Sequence, residues 1–267
     1  MKIVSYNVAG LRSMLRKPEF HEFIFADGQQ IDILCLQETK AEEHQVKLDC
    51  EIIEKYPYRF WNSTKGTTQR KGLSGVSIWS MAPPLNDLKY PDWDDEGRIA
   101  TLEYENFILV NVYVPNSQKL DGERYHFRSK WNMKFMLYIN ELKLKFTNKE
   151  IIICGDMNVA HLDIDICNPS QKKNKVPGFF DTERSDFAYL LEMYDLKDIF
   201  RELYPNRQKS TYWSNFLKAP RKKHNGWGID YFICSSNFME STNIDTCNIL
   251  MEIKGSDHCP LELVFNI

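Results

Sequence analysis

Polar side chains that could carry out chemistry follow apolar, strand-like segments at several points of the chain. The clearest case is Asp156 with Asn158, directly after the apolar run 151–154. A carboxylate or carboxamide at the end of a buried strand is directed into the space where the strand leaves the core. The residues placed in this way are Asn7, Glu38, Asp156, Asn158, Asp257 and His258. Their recurrence predicts one shared site.

These side chains suggest a hard metal ion, because a carboxylate removed from water requires a partner. Glu38, Asp257 and Asn7 offer oxygen donors, which suit Mg²⁺ or Mn²⁺. Paired histidines or cysteines with zinc-like spacing are absent, which disfavours zinc. A single glutamate at a strand end is equally compatible with a salt-bridged role, so the prediction depends on the whole set.

Asp230 and His258 suggest a second unit. A carboxylate beside an imidazole orients the ring and favours its charged form, and an imidazolium can stabilise a phosphate. A lone histidine in a turn is more often structural, but Asp257 and the Gly-Ser turn before it favour the functional interpretation.

Composition limits the class of protein. The chain has 267 residues, of which 43% are hydrophobic, and no long Gly/Ser/Pro-rich linker, which predicts one domain over 1–267. The seven cysteines form no CxxC pair, and several lie in apolar runs, which favours reduced thiols in an intracellular compartment. No apolar run approaches the ~20 residues of a membrane span, so we expect no membrane association. The expected location is cytoplasmic for a prokaryotic source and nuclear for a eukaryotic one.

The net charge of −3 does not by itself indicate nucleic-acid binding. Lysine and arginine nevertheless cluster in presumed loops, at 12–17, 65–71, 172–175 and 221–223. Any one cluster could be an ordinary solvated loop. Four clusters interleaved with the strand-end polar groups favour a polyanionic ligand.

The elements that must position these groups are strands and amphipathic helices. Strands are predicted at 2–8, 32–37, 75–79, 99–103, 107–114, 150–154, 230–234 and 261–265. Helices are predicted at 18–26, 43–55, 123–146 and 182–194, the last with Thr182 as a candidate cap. The aromatic stripe of 123–146 predicts core packing.

The short link between 99–103 and 107–114 requires an antiparallel hairpin, whereas strands separated by helices can pair in parallel. The sheets should therefore be mixed. Eight to twelve strands would twist heavily in one sheet, so we expect an α/β (α+β) four-layered sandwich in which helices flank two packed mixed β-sheets.

Longer motifs make the interpretation specific. The chain contains Leu36-Gln37-Glu38-Thr39-Lys40, Val112-Tyr113-Val114-Pro115-Asn116, Gly155-Asp156-Met157-Asn158-Val159-Ala160-His161, Gly226-Trp227-Gly228-Ile229-Asp230-Tyr231 and Gly255-Ser256-Asp257-His258-Cys259-Pro260. In order and spacing along the whole chain, this set resembles the exonuclease III family of apurinic/apyrimidinic endonucleases, within the DNase I-like superfamily.

The resemblance implies a role for each matching residue. Glu38 would be the main metal ligand, with Asp257 and Asn7 nearby. Asp156 would position or deprotonate the attacking water, and His258, oriented by Asp230, would stabilise charge on the phosphate. Asn158 would hold that water or a phosphate oxygen. Tyr113 would donate a hydrogen bond to the phosphate, with Asn116 and Arg98 supporting that wall.

The resemblance also implies contacts to DNA. An abasic deoxyribose would enter a small pocket formed by Tyr212, Trp227 and Ile229, although the two aromatic residues could instead be core residues. Lys119 and Phe216 would reach the grooves, where Phe216 could act as a wedge or as a buried loop anchor. Asn174 would contribute to DNA binding.

Two residues depart from the family pattern. Ala9 stands where relatives often carry Asp or Asn, which leaves metal preference and the number of metal ions open. Gly228 stands where Arg is frequent, which could weaken phosphate contact or relax substrate choice.

The activity implied is Mg²⁺-dependent hydrolysis, with Mn²⁺ able to substitute, of the phosphodiester 5′ to an abasic site. The expected partner of the monomeric enzyme is double-stranded DNA with abasic sites or 3′-blocked ends, and 3′-5′ exonuclease or 3′-phosphodiesterase activity would use the same site. One alternative is a phosphatase or diesterase acting on lipid head groups, inositol phosphates or RNA tails. Another is a DNA-binding module without activity.

Overall fold

The computed structural model describes residues 1–26, 28, 30–65, 72–214, 221 and 225–266. Its strands, in chain order, are β1 (Lys2–Asn7), β2 (Ile33–Gln37), β3 (Tyr58–Asn62), β4 (Val76–Ser80), β5 (Asn86–Lys89), β6 (Ile99–Glu103), β7 (Phe107–Tyr113), β8 (Glu150–Asp156), β9 (Leu196–Asp198), β10 (Asp230–Ser235), β11 (Asn243–Ile249) and β12 (Leu261–Asn266). Its α-helices are α1 (Leu11–Met14), α2 (Pro18–Phe25), α3 (Cys50–Lys55), α4 (Glu123–Lys145), α5 (Pro169–Lys172), α6 (Asp181–Met193), α7 (Ile199–Leu203) and α8 (Ser236–Ser241).

The strands form two six-stranded mixed sheets. The first has the order β11-β12-β1-β2-β4-β3 and the second β5-β6-β7-β8-β10-β9. Each sheet contains one parallel pair, β1 with β2 and β7 with β8. A parallel pair requires a crossover, which α1 and α2 provide in the first sheet and α4 in the second. The predicted hairpin of β6 and β7 is antiparallel, as expected.

Three apolar layers hold the sheets and helices together. Successive strand residues face opposite sides of a sheet, so Ile3 enters the core between the sheets while Val4 packs under α2. On the outer side of the second sheet, the α4 stripe that includes Trp131 and Phe135 covers Ile153. The result is the four-layered α/β sandwich predicted from the sequence, and the aromatic stripe is core packing.

Two helix predictions were wrong in detail. The predicted helix 43–55 is interrupted: a 3₁₀ turn at Glu43–Gln45 ends where Val46 becomes extended, and α3 begins only at Cys50. The chain straightens there because Val46 packs against the apolar layer beneath α2.

The candidate cap of α6 was also wrong. The helix begins at Asp181, and the carboxylate of Glu183 accepts a hydrogen bond from the N–H of Phe180 (3.0 Å). The Thr182 hydroxyl instead accepts a hydrogen bond from Tyr125 (3.0 Å).

All seven cysteines lie in the described part of the chain and none forms a disulfide there, in agreement with reduced thiols. Among the described helices, none has the length and hydropathy required to cross a bilayer.

Candidate active site and cation cluster

The polar strand ends meet at one edge of the sandwich. Because β1 and β2 are parallel, Asn7 and Glu38 leave the first sheet on the same side. In the second sheet, Tyr113 and Asp230 are both register partners of Asp156. The edge contains a cavity of about 320 Å³, lined by Glu38, Tyr113, Asn116, Asp156, Asn158, Val176, Pro177, Gly178, Tyr212, Ser214, Trp227, Ile229, Asp257 and His258.

A glycine allows the second sheet to reach this edge. Gly155 has φ +135°, and a Cβ atom there would lie 1.9 Å from the carbonyl oxygen of Val112. The backbones of β7 and β8 can therefore approach only with glycine at this position. The neighbouring Asp156 is 1% exposed and is held at the cavity by this close approach.

Two carboxylates face each other across the two sheets. The Nδ2 atom of Asn7 donates to Glu38 Oε1 (3.1 Å) and to Asp156 Oδ2 (2.9 Å), while Asn7 Oδ1 accepts from the N–H of Ala9 (3.0 Å). The ammonium of Lys40 lies 2.7 Å from Glu38 Oε2. Asn7 thus bridges the carboxylates through its nitrogen, and its role as a metal ligand stays a prediction.

The charges of the two carboxylates are compensated unequally. Burial raises the pKa of Glu38, but Lys40, His258 and Asn7 together outweigh burial and the net pKa is lowered. The pKa of Asp156 is raised by burial and by the nearby charge of Asp230. The positive charge around Asp156 therefore does not balance the negative charge of the carboxylates there.

The residues fit a divalent cation. Ligand atoms of Glu38, Asp156 and His258 all lie within 4.8 Å of one another. His258 directs Nε2 towards Asp156 Oδ2 (3.9 Å), but a charged imidazole does not coordinate a metal. The oxygens of Glu38 and Asp156 remain, and the uncompensated charge of Asp156 favours a hard cation close by.

His258 is held in its charged form by Asp230. Its Nδ1 lies 2.8 Å from Asp230 Oδ2, and both residues are buried. Burial alone would lower the pKa of the imidazole, but the carboxylate of Asp230, with those of Asp156 and Asp257, outweighs burial and raises the pKa to about 10. At neutral pH the imidazolium therefore faces the cavity next to Asp156.

A polar wall lies opposite. Asn116 Nδ2 donates to Asn158 Oδ1 (2.9 Å), and Asn158 Nδ2 donates to the carbonyl of Val114 (2.9 Å). The Tyr113 hydroxyl is hydrogen-bonded to Glu38, and burial raises the pKa of Tyr113 well above its usual value. These neutral groups can contact phosphate oxygens without adding negative charge.

Arg98 supports this wall from behind. It is 3% exposed and does not line the cavity. Its Nε donates to Glu96 (2.6 Å), its Nη1 donates to the carbonyl of Tyr113 (3.0 Å), and its guanidinium lies 4.6 Å from the Tyr113 ring. Its position indicates that Arg98 orients Tyr113.

The other end of the cavity is apolar. Trp227 and Ile229 line it together with Val176. Tyr212 lies between this end and the charged end: its ring is 6.3 Å from Trp227, edge-on, and 4.8 Å from His258. The three predicted pocket residues therefore share the cavity that contains the carboxylates.

The outlying predicted contacts are elsewhere. Lys119 and Asn174 are exposed and do not line the cavity. Asn174 exchanges two hydrogen bonds with Asp181, each 2.7 Å, and thereby shapes the loop that carries Val176. Phe216 lies outside the described residues.

Three residues at the site were not given a role from the sequence. Lys40 pairs with Glu38, and Thr211 Oγ1 accepts the backbone N–H groups of Ile229 and Asp230 (3.0 and 3.1 Å). Arg128 binds the turn after Asp156 from behind. Helical spacing could have indicated this position, because Arg128 lies three residues before Trp131 and therefore on the buried face of α4.

Comparison with known proteins places the chain in a family of nucleases and phosphatases. Residues 4–258 match the endonuclease/exonuclease/phosphatase family. The chain is 39% identical to an exodeoxyribonuclease of Bacillus subtilis, over the full length of both. It is 37% identical to the DNA repair nuclease APEX1 of Danio rerio, over 98% of this chain and 81% of that protein. A solved AP endonuclease of Archaeoglobus fulgidus superposes over the whole of both chains, with a TM-score of 0.83 and 28% identity.

Proposed function

The chain belongs to the endonuclease/exonuclease/phosphatase family, and from that premise we propose that it is a Mg²⁺-dependent DNA repair endonuclease acting at abasic sites. It hydrolyses the phosphodiester 5′ to the abasic residue, leaving a 3′-hydroxyl and a 5′-deoxyribose phosphate. The observation that carries the proposal is a single cavity with paired carboxylates and a charged imidazole at one end and Trp227 with Ile229 at the other. The names of the DNA repair relatives support it.

The metal would be held mainly by Glu38, with Asp257 and Asn7 nearby, and Mn²⁺ would substitute for Mg²⁺ because both prefer oxygen donors. When bound, the cation supplies a Lewis acid that polarises a phosphoryl oxygen. Lys40 balances the charge of Glu38 in the free protein.

The protein groups supply the proton transfer and the remaining charge stabilisation. A water attacks phosphorus in line and its proton passes to Asp156. The bond from phosphorus to the 3′ oxygen breaks, and that oxygen takes a proton from solvent water to become the 3′-hydroxyl. Asn7 Nδ2 donates to Asp156 Oδ2 (2.9 Å) and the N–H of Asn158 donates to Asp156 Oδ1 (2.8 Å), which hold the carboxylate in place for this role. The imidazolium of His258, Asn158 and the Tyr113 hydroxyl stabilise the charge that develops on the phosphoryl oxygens.

The apolar end of the cavity selects the abasic residue. Tyr212, Trp227 and Ile229 would contact the extruded sugar, and a paired base would have to be unstacked first. Extrusion costs least where the base is already missing. Lys119, Asn174 and Phe216 would contact the flanking duplex. A blocked nucleotide at a 3′ end would enter the pocket of Tyr212, Trp227 and Ile229, which would account for exonuclease activity. We propose that one monomer suffices, since both ends of the cavity come from one chain.

The test is incision of a labelled duplex that carries one tetrahydrofuran abasic analogue. With Mg²⁺ we expect a single internal cut 5′ to the analogue, with a 3′ end that a polymerase extends. With chelator, or with an intact duplex, we expect no internal cut. A soluble phosphomonoester serves as the competing substrate. Faster hydrolysis of the monoester would favour a phosphatase, and duplex binding without a Mg²⁺-dependent product would favour an inactive binding module.

A further inference from the structure

Tyr212 is fixed by its backbone between the two ends of the cavity. The N–H of Tyr212 donates to the carbonyl of Trp227, and the N–H of Trp227 donates to the carbonyl of Tyr212, each at 2.9 Å. Tyr212 is also the partner of His258 in an isolated antiparallel β-bridge. The next residue, Trp213, donates its N–H to the carbonyl of Asp257 (2.8 Å). The side chain therefore occupies a defined place between the charged groups and the apolar wall.

The Tyr212 hydroxyl forms a hydrogen bond with Ser214, and both residues line the cavity. Burial raises the pKa of Tyr212, and the charges of Asp257 and Asp156 raise it further. The phenol is therefore neutral at physiological pH. Together the two hydroxyls offer both a donor and an acceptor.

This hydroxyl pair is distinct from the other polar groups of the described cavity. Only one further hydroxyl, that of Tyr113, lines it, and that hydroxyl is bonded to Glu38 at the metal end. The residues around the apolar end, such as Val176 and Trp227, offer no hydroxyl. A pair that offers both a donor and an acceptor matches a hydroxyl of the ligand, which can use both.

We propose that Tyr212 and Ser214 recognise the hydroxyl that an abasic deoxyribose carries at C1′, where an intact nucleotide carries its base. This inference rests on the proposed function and deepens it: the pocket would select the natural hemiacetal sugar over a sugar that merely lacks a base. A site built to hydrogen-bond a substrate hydroxyl disfavours the analogue without it, because the two protein hydroxyls are then covered by the sugar without gaining a bond to it.

The test compares two duplexes that differ by this hydroxyl: one with a natural abasic site, made by enzymatic removal of uracil, and one with tetrahydrofuran at the same position. The readout is the ratio of the two kcat/KM values within each protein. We expect the natural site to be cut about threefold to tenfold more efficiently, as one neutral hydrogen bond allows. In Tyr212→Phe the ratio should fall to near one, and Ser214→Ala should lower it in the same direction.

Tyr125→Phe is the matched control, because it removes a tyrosine hydroxyl bonded to Thr182 on the helical layer and should keep the wild-type ratio. A wild-type ratio near one, or the same ratio in Tyr212→Phe as in wild type, would overturn the inference while the endonuclease proposal stands. Failure of the wild-type protein to cut either duplex would overturn the proposed function and this inference with it.

Discussion

Replacing Arg128 should damage both stability and catalysis, although this side chain does not reach the cavity. Arg128 is 2% exposed. Its Nη1 donates to the carbonyl of Asn158 (2.7 Å) and to Glu183 Oε1 (3.0 Å), and its Nη2 donates to the carbonyl of Met157 (3.0 Å). The guanidinium thus holds the turn that follows Asp156, in which Asn158 has φ +49°.

The magnitude follows from what Arg128→Met leaves behind. The carboxylate of Glu183, which is 3% exposed, would lose its charged partner. Breaking a buried ion pair by removing one member costs about 3–5 kcal/mol. The double variant Arg128→Met/Glu183→Leu removes the stranded charge and should recover at least ~1 kcal/mol of this loss.

Activity should not recover with stability. Both variants leave the carbonyls of Met157 and Asn158 without their donor, so the turn that positions Asp156 can shift. A displacement on the order of 1 Å costs about 100-fold in rate. Urea unfolding and incision of the tetrahydrofuran duplex would measure the two effects. A double variant that regains wild-type incision, or Arg128→Met within ~1 kcal/mol of wild type, would refute the reasoning.

Three further outcomes are expected. Glu38→Gln keeps the side-chain size but removes the charge that we propose holds the cation, so incision should fall by about 100-fold or more while circular dichroism is unchanged. Near-normal incision would contradict this role. Burial raises the pKa of Asp94 to about 6, so the folded state binds the Asp94 proton more tightly than the unfolded state. The free energy of unfolding should therefore fall by roughly 2–3 kcal/mol as pH rises from about 4 to about 6. Urea unfolding of Asp94→Asn at several pH values should lack this decrease. Gly155→Ala would place Cβ against the carbonyl oxygen of Val112 at φ +135°, and should lower the free energy of unfolding by at least about 1–3 kcal/mol, seen as a lower Tm. Incision should also fall, because Asp156 is adjacent. A variant as stable as wild type would contradict the close approach of β7 and β8.

The sequence predicted the central strands well and the edge strands not at all. All four strands without a prediction, β3, β5, β9 and β11, are the outermost strands of the two sheets. Central strands are buried on both faces and read as continuous apolar runs, as β2 and β7 do. An edge strand such as β5, with the sequence NDLK, is largely exposed, and its pairing partner rather than its own sequence makes it a strand.

The site was predictable where the chemistry is local to a strand end. Glu38, Asp156 and His258 converge because the sheets bring their strand ends to one edge, and that edge follows from the topology. The roles of supporting residues were not predictable in this way. Motif spacing placed Arg98 near the site, but only the structure shows that its guanidinium packs on Tyr113 and does not face the cavity.

We propose that the cavity between Glu38 and Trp227 binds a divalent cation and an abasic sugar side by side. A crystal structure of the protein with Mn²⁺ and a duplex bearing tetrahydrofuran would test it, with Mn²⁺ located by its anomalous signal. We expect an anomalous peak for Mn²⁺ at bonding distance from Glu38 and next to Asp156, with the extruded sugar in contact with Trp227. A peak remote from Glu38, or a sugar outside the cavity while the duplex is bound, would contradict it.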